Sequence, residues 1–269
     1  MVYIQTLGIL ISNIISYFSV KKYLLFSFDS HFKWIKELFN YGKYAFGTSV
    51  SVILANSLDT IMLGGMLSAA SAGAYNIAVR ITNLVEIPTN SIAAIVFPQS
   101  AKRMQTEGLT AIKYLYEKSV GTILAILFPG LLCLFLFSDF AIDLIAGDNY
   151  IDVIPVLKVT VLYCFLIPFG RQFGTILDSI GKPKLTFIIV IITASINMGL
   201  NYIMITRYGV VGAAYSTLIA NIVGFAMAQV ILKRELNVNI FNTMIYAVRF
   251  YPEFFHKYIK PFIVKTQIK

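Results

Sequence analysis

Three charged residues, Asp59, Arg80 and Glu86, interrupt sequence that is otherwise apolar enough to cross a bilayer. A charged side chain at membrane depth costs at least ~2.5–3.5 kcal/mol, so it normally faces a bundle interior or a wet cavity and carries a function. These residues are therefore the first candidates for a site.

Asp59 and Arg80 lie at similar predicted depths in adjacent apolar runs. Asp59 is five residues before the end of a run at 43–64, and Arg80 is six residues after the start of a run at 74–97. At 1.5 Å per residue, both lie about 7–9 Å below the outer membrane edge. Because opposite charges offset each other's desolvation, we expect these two to pair, either as a static lock or as part of a site.

The run at 74–97 also has a polar stripe within a sector of about 120° of a helix. Its members are Asn76, Arg80, Asn83, Glu86 and Asn90. Pro88 lies beside the stripe, and a kinked helix is tolerated where it lines a cavity. The pattern favours a hydrated cavity wall over a buried structural network.

Other polar and sulfur-containing residues give weaker signals. Pro168 is expected to bend the inner third of the run at 153–177, where Arg171 either extends to the interface or contacts an anion. Cys133 and Cys164 fall inside apolar runs without Cys-x-x-Cys spacing, so no disulfide or metal site is predicted. No cofactor is expected.

The elements that must position these residues are transmembrane helices. Of 269 residues, 58% are hydrophobic and 13% charged, against about 25% charged in soluble domains. Runs of about 20 apolar residues can span a bilayer. The sequence therefore predicts an all-α integral membrane protein with seven spans: 2–20, 43–64, 74–97, 119–138, 153–177, 184–206 and 209–232.

Basic residues alternate between the links. Lysine and arginine concentrate in 21–43, in 98–118, in 178–184 and after 232, whereas 138–153 is acidic. By the positive-inside rule, the N-terminus lies outside and the C-terminus is cytoplasmic in the cell membrane. The net charge of +9 reflects this pattern, so nucleic-acid binding is not expected.

Two further segments have the amphipathic pattern of interfacial helices, at 29–40 and from Asn239 onward. The predicted organisation is accordingly a first transmembrane helix with an amphipathic cytoplasmic linker, a six-helix lobe, and an amphipathic cytoplasmic tail. These parts cover 1–42, 43–232 and 233–269.

Several motifs resemble those of polysaccharide flippases in the multidrug/oligosaccharidyl-lipid/polysaccharide exporter superfamily. They are Leu58-Asp-Thr-Ile-Met-Leu-Gly, Ala72-Gly-Ala-Tyr-Asn-Ile-Ala-Val-Arg, Phe97-Pro-Gln, Leu177-Asp-Ser-Ile-Gly-Lys-Pro-Lys, Asn197-Met-Gly-Leu-Asn and Arg207-Tyr-Gly-Val-Val-Gly-Ala-Ala-Tyr-Ser-Thr. The resemblance covers nearly the whole chain. It implies translocation of polyprenyl-pyrophosphate-linked oligosaccharide, such as O-antigen, exopolysaccharide or teichoic-acid units, across the bilayer.

The resemblance also implies a two-lobe fold of twelve or fourteen helices around a central cavity. The seven spans match the sixth to twelfth helices of a twelve-helix member, that is, the C-terminal lobe and one preceding helix. We therefore expect a partial chain. The open alternatives are a truncated gene, a fragmentary record, a split transporter completed by an N-terminal lobe, and a second copy.

Given the resemblance, Arg80 and Arg171 are the candidates for contacting the pyrophosphate, since guanidinium groups match phosphate geometry. Asn76, Asn83 and Asn90 are the candidates for sugar hydroxyls. Asp59 and Glu86 are expected either to hold Arg80 or to bind a coupling cation.

Three alternatives compete with this interpretation. A drug or cation exporter of the same superfamily would use Asp59 and Glu86. The second is a non-transport seven-helix receptor or photoreceptor. Its retinal-binding version would need a lysine in the last span, and 210–232 contains none. A membrane-embedded glycosyltransferase would need a catalytic outer loop, but 138–153 lacks His, Arg and Lys. We therefore do not expect an enzyme.

Overall fold

The computed structural model describes residues 2–23, 32–147 and 152–259, and its regular elements are helices. They are α1 (Val2–Val20), α2 (Phe32–Met66), α3 (Ala69–Thr106), α4 (Leu109–Leu136), α5 (Ser138–Ala146), α6 (Ile154–Cys164), α7 (Ile167–Ser179), α8 (Pro183–Leu236) and α9 (Ile240–Phe254). A short 3₁₀ turn, Lys21–Tyr23, follows α1, and a π-helical turn, Phe255–Ile259, follows α9.

The chain forms two compact units, residues 1–40 and 41–269. The first contains α1 and the beginning of α2, and the second contains the remaining helices. Parts of three predicted features, namely the linker before residue 32, the acidic loop at 148–151 and the tail beyond 259, lie outside the described residues.

Long apolar helices confirm a multi-pass membrane protein. Among the described residues, four segments have the length and hydropathy to cross a bilayer: Phe32–Met66, Leu109–Leu136, Ile154–Ser179 and Pro183–Leu236. Helix α3 has 38 residues, but its polar stripe lowers its hydropathy. The predicted total of seven spans stays a prediction.

Helix α8 is a helical hairpin. Its 54 residues are interrupted at Gly209, where φ is +59° and ψ is −138°. Asn197 donates a hydrogen bond to Thr217, and Thr193 packs against Gly224, so the two arms run antiparallel. The left-handed φ favours glycine at the break. The predicted runs at 184–206 and 209–232 correspond to these arms.

The predicted bend in the run at 153–177 is also present. Helix α6 ends at Cys164 and α7 begins at Ile167, with Pro168 in its first turn. Proline lacks the amide hydrogen that would continue the helix, but it is tolerated at a helix start.

The prediction of a surface helix at 29–40 that is separate from the following span was wrong. Helix α2 continues without a break from Phe32 to Met66. Gly42 lies within it, and an interior glycine costs only about 1 kcal/mol relative to alanine, which is too little to end a helix.

Two apolar clusters form the core of the second unit. The first joins α2, α3, α4, α6 and α8 through residues such as Leu63, Tyr75, Ile123, Leu157 and Ile205. The second joins α4, α7 and the second arm of α8, and includes Tyr116, Phe173 and Leu232. These clusters hold the helices that surround the cavity described next.

Candidate functional site

A cavity of about 660 Å³ lies in the second unit, between α2, α3, α7 and both arms of α8. Its volume is within the range of about 300–1,000 Å³ that is typical of small-molecule sites. Aromatic and aliphatic side chains form much of the wall. Its polar lining residues include Asn56, Asp59, Glu86, Asn90, Arg171, Asp178, Thr193, Asn197, Thr217 and Asn221.

One end of the cavity is organised around Asp59, which is 7% exposed. Its carboxylate accepts hydrogen bonds from the Tyr75 hydroxyl at 2.8 Å, from the Asn201 amide at 2.6 Å and from the Thr217 hydroxyl at 2.8 Å. Asn201 also donates to Asn197. Four helical segments, namely α2, α3 and the two arms of α8, thus meet at one carboxylate.

The predicted ion pair between Asp59 and Arg80 was wrong. Within the described part of the chain, no ion pair joins them, and Arg80 is exposed. Their predicted depths match, but Tyr75 occupies the side of α3 that faces Asp59. Arg80 follows Tyr75 by five residues, so its side chain is rotated by about 140° around the helix relative to Tyr75 and points away from Asp59.

The other end of the cavity contains Arg171 and Asp178, which lie two turns apart on α7. The Thr186 hydroxyl donates to Asp178 at 2.8 Å. Thr186 and Asn201 are 15 residues apart on the first arm of α8, so Asp178 and Asp59 are separated by about 22 Å along that arm. Asp178 also fixes α2, because its carbonyl accepts from the Tyr41 hydroxyl at 3.1 Å.

The structure brings together four of the predicted site residues. Asp59, Glu86, Asn90 and Arg171 all line the cavity. Asn76, Arg80 and Asn83 are exposed on α3 but lie outside this lining.

Sequence reasoning missed most of the amides and hydroxyls of the cavity wall. Asn56 and Thr193 carried no recognised signal, and Asp178 was assigned to a link rather than to α7. Asn197 and Asn201 are four residues apart on one helix face, and that spacing alone does not indicate a cavity. In chemical terms, the cavity offers a guanidinium for an anion, amides and hydroxyls for a polyol, and carboxylates for a cation or proton.

Comparison with known proteins gives the same family as the motifs. A family model described as "Polysaccharide biosynthesis protein" matches residues 1–155. The Haloferax volcanii protein named "Probable low-salt glycan biosynthesis flippase Agl15" is 26% identical over 186 residues, which are 69% of this chain and 39% of that protein. The Escherichia coli "Lipopolysaccharide biosynthesis protein WzxC" is 27% identical over 193 residues, 71% of this chain and 37% of that protein.

A solved structure supports the fold. "Lipid II flippase MurJ, inward closed conformation" matches with a TM-score of 0.64 at 19% identity, covering 95% of this chain and 55% of that one. At this identity the likeness shows the fold alone. The chain spans about two fifths of the length of the curated relatives it matches.

Proposed function

The chain belongs to the polysaccharide biosynthesis protein family, and on that premise we propose that it contributes to flipping lipid-linked oligosaccharide across the cell membrane. Relatives named as flippases or polysaccharide biosynthesis proteins support this proposal. The observation that carries it is the cavity, whose lining combines the guanidinium of Arg171 with amides, hydroxyls and carboxylates. The role is transport rather than catalysis.

Arg171 is the proposed contact for the pyrophosphate. Its side chain is exposed to the cavity, and a guanidinium can donate two parallel hydrogen bonds to phosphate oxygens. Asn90 would then meet sugar hydroxyls inside the cavity. Asn76, Arg80 and Asn83 would contact substrate from the exposed side of α3.

Asp59 is the proposed coupling residue. Three donors hold its carboxylate at one end of the cavity, so a proton or cation arriving there would change the contacts between α2, α3 and both arms of α8. Glu86 lines the same cavity and is the second acidic candidate. Movement of helices around such a site is the usual basis of alternating access in transporters.

The proposed parts are those expected from the sequence: 1–42, a lobe at 43–232 and a tail at 233–269. A preceding lobe or a second copy would supply the opposite wall of the pathway.

Orientation with the N-terminus outside is testable with Asp152→Cys in a chain whose Cys133 and Cys164 are replaced. A membrane-impermeant thiol reagent should label this cysteine in intact cells, and labelling only after lysis would reverse the orientation.

A drug or cation exporter is the second candidate function. The cavity lining contains three carboxylates, Asp59, Glu86 and Asp178, and one guanidinium, Arg171, so its formal charge favours a cation. This alternative needs no pyrophosphate contact at Arg171.

Direct binding separates the two candidates. The purified chain in nanodiscs would be titrated with polyprenyl pyrophosphate, with a polyprenyl-pyrophosphate-linked oligosaccharide and with the lipophilic cation tetraphenylphosphonium. We expect the oligosaccharide to bind more tightly than the bare pyrophosphate, and the cation not to compete with it. Binding of the cation alone would reject the flippase proposal in favour of the exporter.

A further inference from the structure

Helix α9 is docked on α4 by direct backbone contact. A Cβ atom on Gly121 would lie 2.6 Å from the Thr243 carbonyl oxygen and 3.0 Å from the Ala247 amide nitrogen. Real Cβ atoms do not approach backbone so closely, so glycine at this position of α4 is what admits α9. Small residues allow the same close approach between helices in other membrane proteins.

Polar contacts fix the two ends of this helix pair. Glu117, 2% exposed, accepts from the Asn239 amide at 2.8 Å and from the Asn242 side chain at 2.9 Å. The Tyr251 hydroxyl donates to the Ala125 carbonyl at 2.7 Å. Glu117, Gly121 and Ala125 occupy successive turns of one face of α4. Helix α9 therefore has a fixed position on α4, unlike a freely moving amphipathic tail.

The side of α9 that faces away from α4 is apolar. Phe241, Met244, Ile245 and Val248 recur at helical spacing, and Phe241 and Val248 are 72% and 71% exposed. We call these four residues the α9 ridge. Exposed apolar residues at this spacing are typical of a helix that contacts acyl chains.

Cationic and aromatic side chains lie at the edge of the ridge. Arg249 is exposed on α9, next to Val248. On α4, the exposed Lys118 donates to the Tyr114 hydroxyl at 2.9 Å, and the Tyr114 ring meets the Tyr246 ring edge to face at 5.8 Å. A tyrosine pair thus connects Lys118 to α9, next to the helical turn that contains Arg249.

We propose that Lys118, Arg249 and the α9 ridge form a binding surface for anionic phospholipid. The phosphate of the headgroup contacts the two cations, and the acyl chains lie along the ridge. Tyrosine is enriched at the membrane–water interface. Glu253 follows Arg249 by one turn and reduces the charge of this edge, so both cations are needed for a preference.

The first test replaces only exposed cations. The chain would be purified from nanodiscs of equal parts phosphatidylcholine and phosphatidylglycerol, and the retained lipids would be measured by native mass spectrometry. We expect K118Q/R249Q to lower the enrichment of phosphatidylglycerol by at least about fivefold, which is the effect of losing a single cation near an anionic surface. The matched control, K233Q/R234Q, removes two exposed cations at the end of α8 and should keep the enrichment. Equal loss in both double variants, or loss in neither, would overturn the proposal.

The second test asks whether docking is required. G121V forces α9 away from α4 while keeping both cations in the chain, and G130V is its control because a Cβ there meets nothing within 4 Å. We expect G121V, and not G130V, to lose the enrichment. Retention by G121V would show that a mobile basic tail suffices and would reject the fixed surface. K118Q/R249Q changes only exposed side chains, so the first test stays valid whatever the folded yield of G121V.

Discussion

The charged residues at the two ends of the cavity differ in burial and in hydrogen-bond partners. Asp59 is buried and accepts three hydrogen bonds. At the other end Arg171 is exposed, and within the described residues its guanidinium makes no hydrogen bond or ion pair. A charge whose partners are supplied by the protein stabilises the fold, whereas a charge without such partners is available to a ligand. The same cavity can therefore combine an end that joins helices, where we propose coupling, with an end that binds ligand.

The largest expected effect on stability is the loss of the Asp59 carboxylate. D59L leaves two hydroxyls and one amide without their acceptor, so the free energy of unfolding should fall by about 2–4 kcal/mol, at about 1 kcal/mol per bond. Denaturant titration of the purified chain in mixed micelles measures this change. An unchanged unfolding midpoint would mean that these hydrogen bonds add nothing to stability.

A single donor to Asp59 should have a smaller effect. Y75F removes one hydrogen bond and keeps the ring, so we expect a loss of about 1 kcal/mol. In the D59L background the same substitution should cost almost nothing, because its acceptor is already absent. The double-mutant cycle therefore predicts a coupling energy of about 1 kcal/mol, and additive effects would contradict the contact between Tyr75 and Asp59.

The exposed acidic residue of the cavity should have the smallest effect on stability. Glu86 lines the cavity, is exposed and accepts no hydrogen bond within the described part of the chain. E86Q should therefore change the free energy of unfolding by less than about 0.5 kcal/mol. A loss close to that of D59L would remove the distinction between the two kinds of charged residue.

Much of the fold was predictable because apolar runs of membrane length are a strong signal. The break before Pro168 and the separation of two helices near Gly209 both followed from local sequence. The continuity of α2 did not, because one glycine and a change in amphipathicity resemble a boundary without creating one. The docking of α9 on α4 depends on Gly121, whose role becomes visible only when the neighbouring backbone is placed.

The site was predictable from the sequence only where position along a single helix was sufficient. Depth along a helix follows from residue number, so the levels of Asp59 and Arg80 could be matched. Direction around the helix axis relative to neighbouring helices depends on packing, and here Tyr75 takes the position expected for Arg80. The second arm of α8 contributes Thr217 through the turn at Gly209, a contact that no spacing within one helix indicates.

Equilibrium binding of polyprenyl pyrophosphate to R171Q and Y75F, measured beside the unsubstituted chain, tests the central claim most directly. We expect R171Q to bind at least about tenfold more weakly, because it loses charge-assisted hydrogen bonds to phosphate, while its unfolding midpoint stays unchanged. Y75F should bind within about twofold of the unsubstituted chain despite its lower stability, because Tyr75 contacts Asp59 at the other end of the cavity. Unchanged binding by R171Q, or a larger loss in Y75F than in R171Q, would contradict the assignment of a ligand-binding end and a structural end.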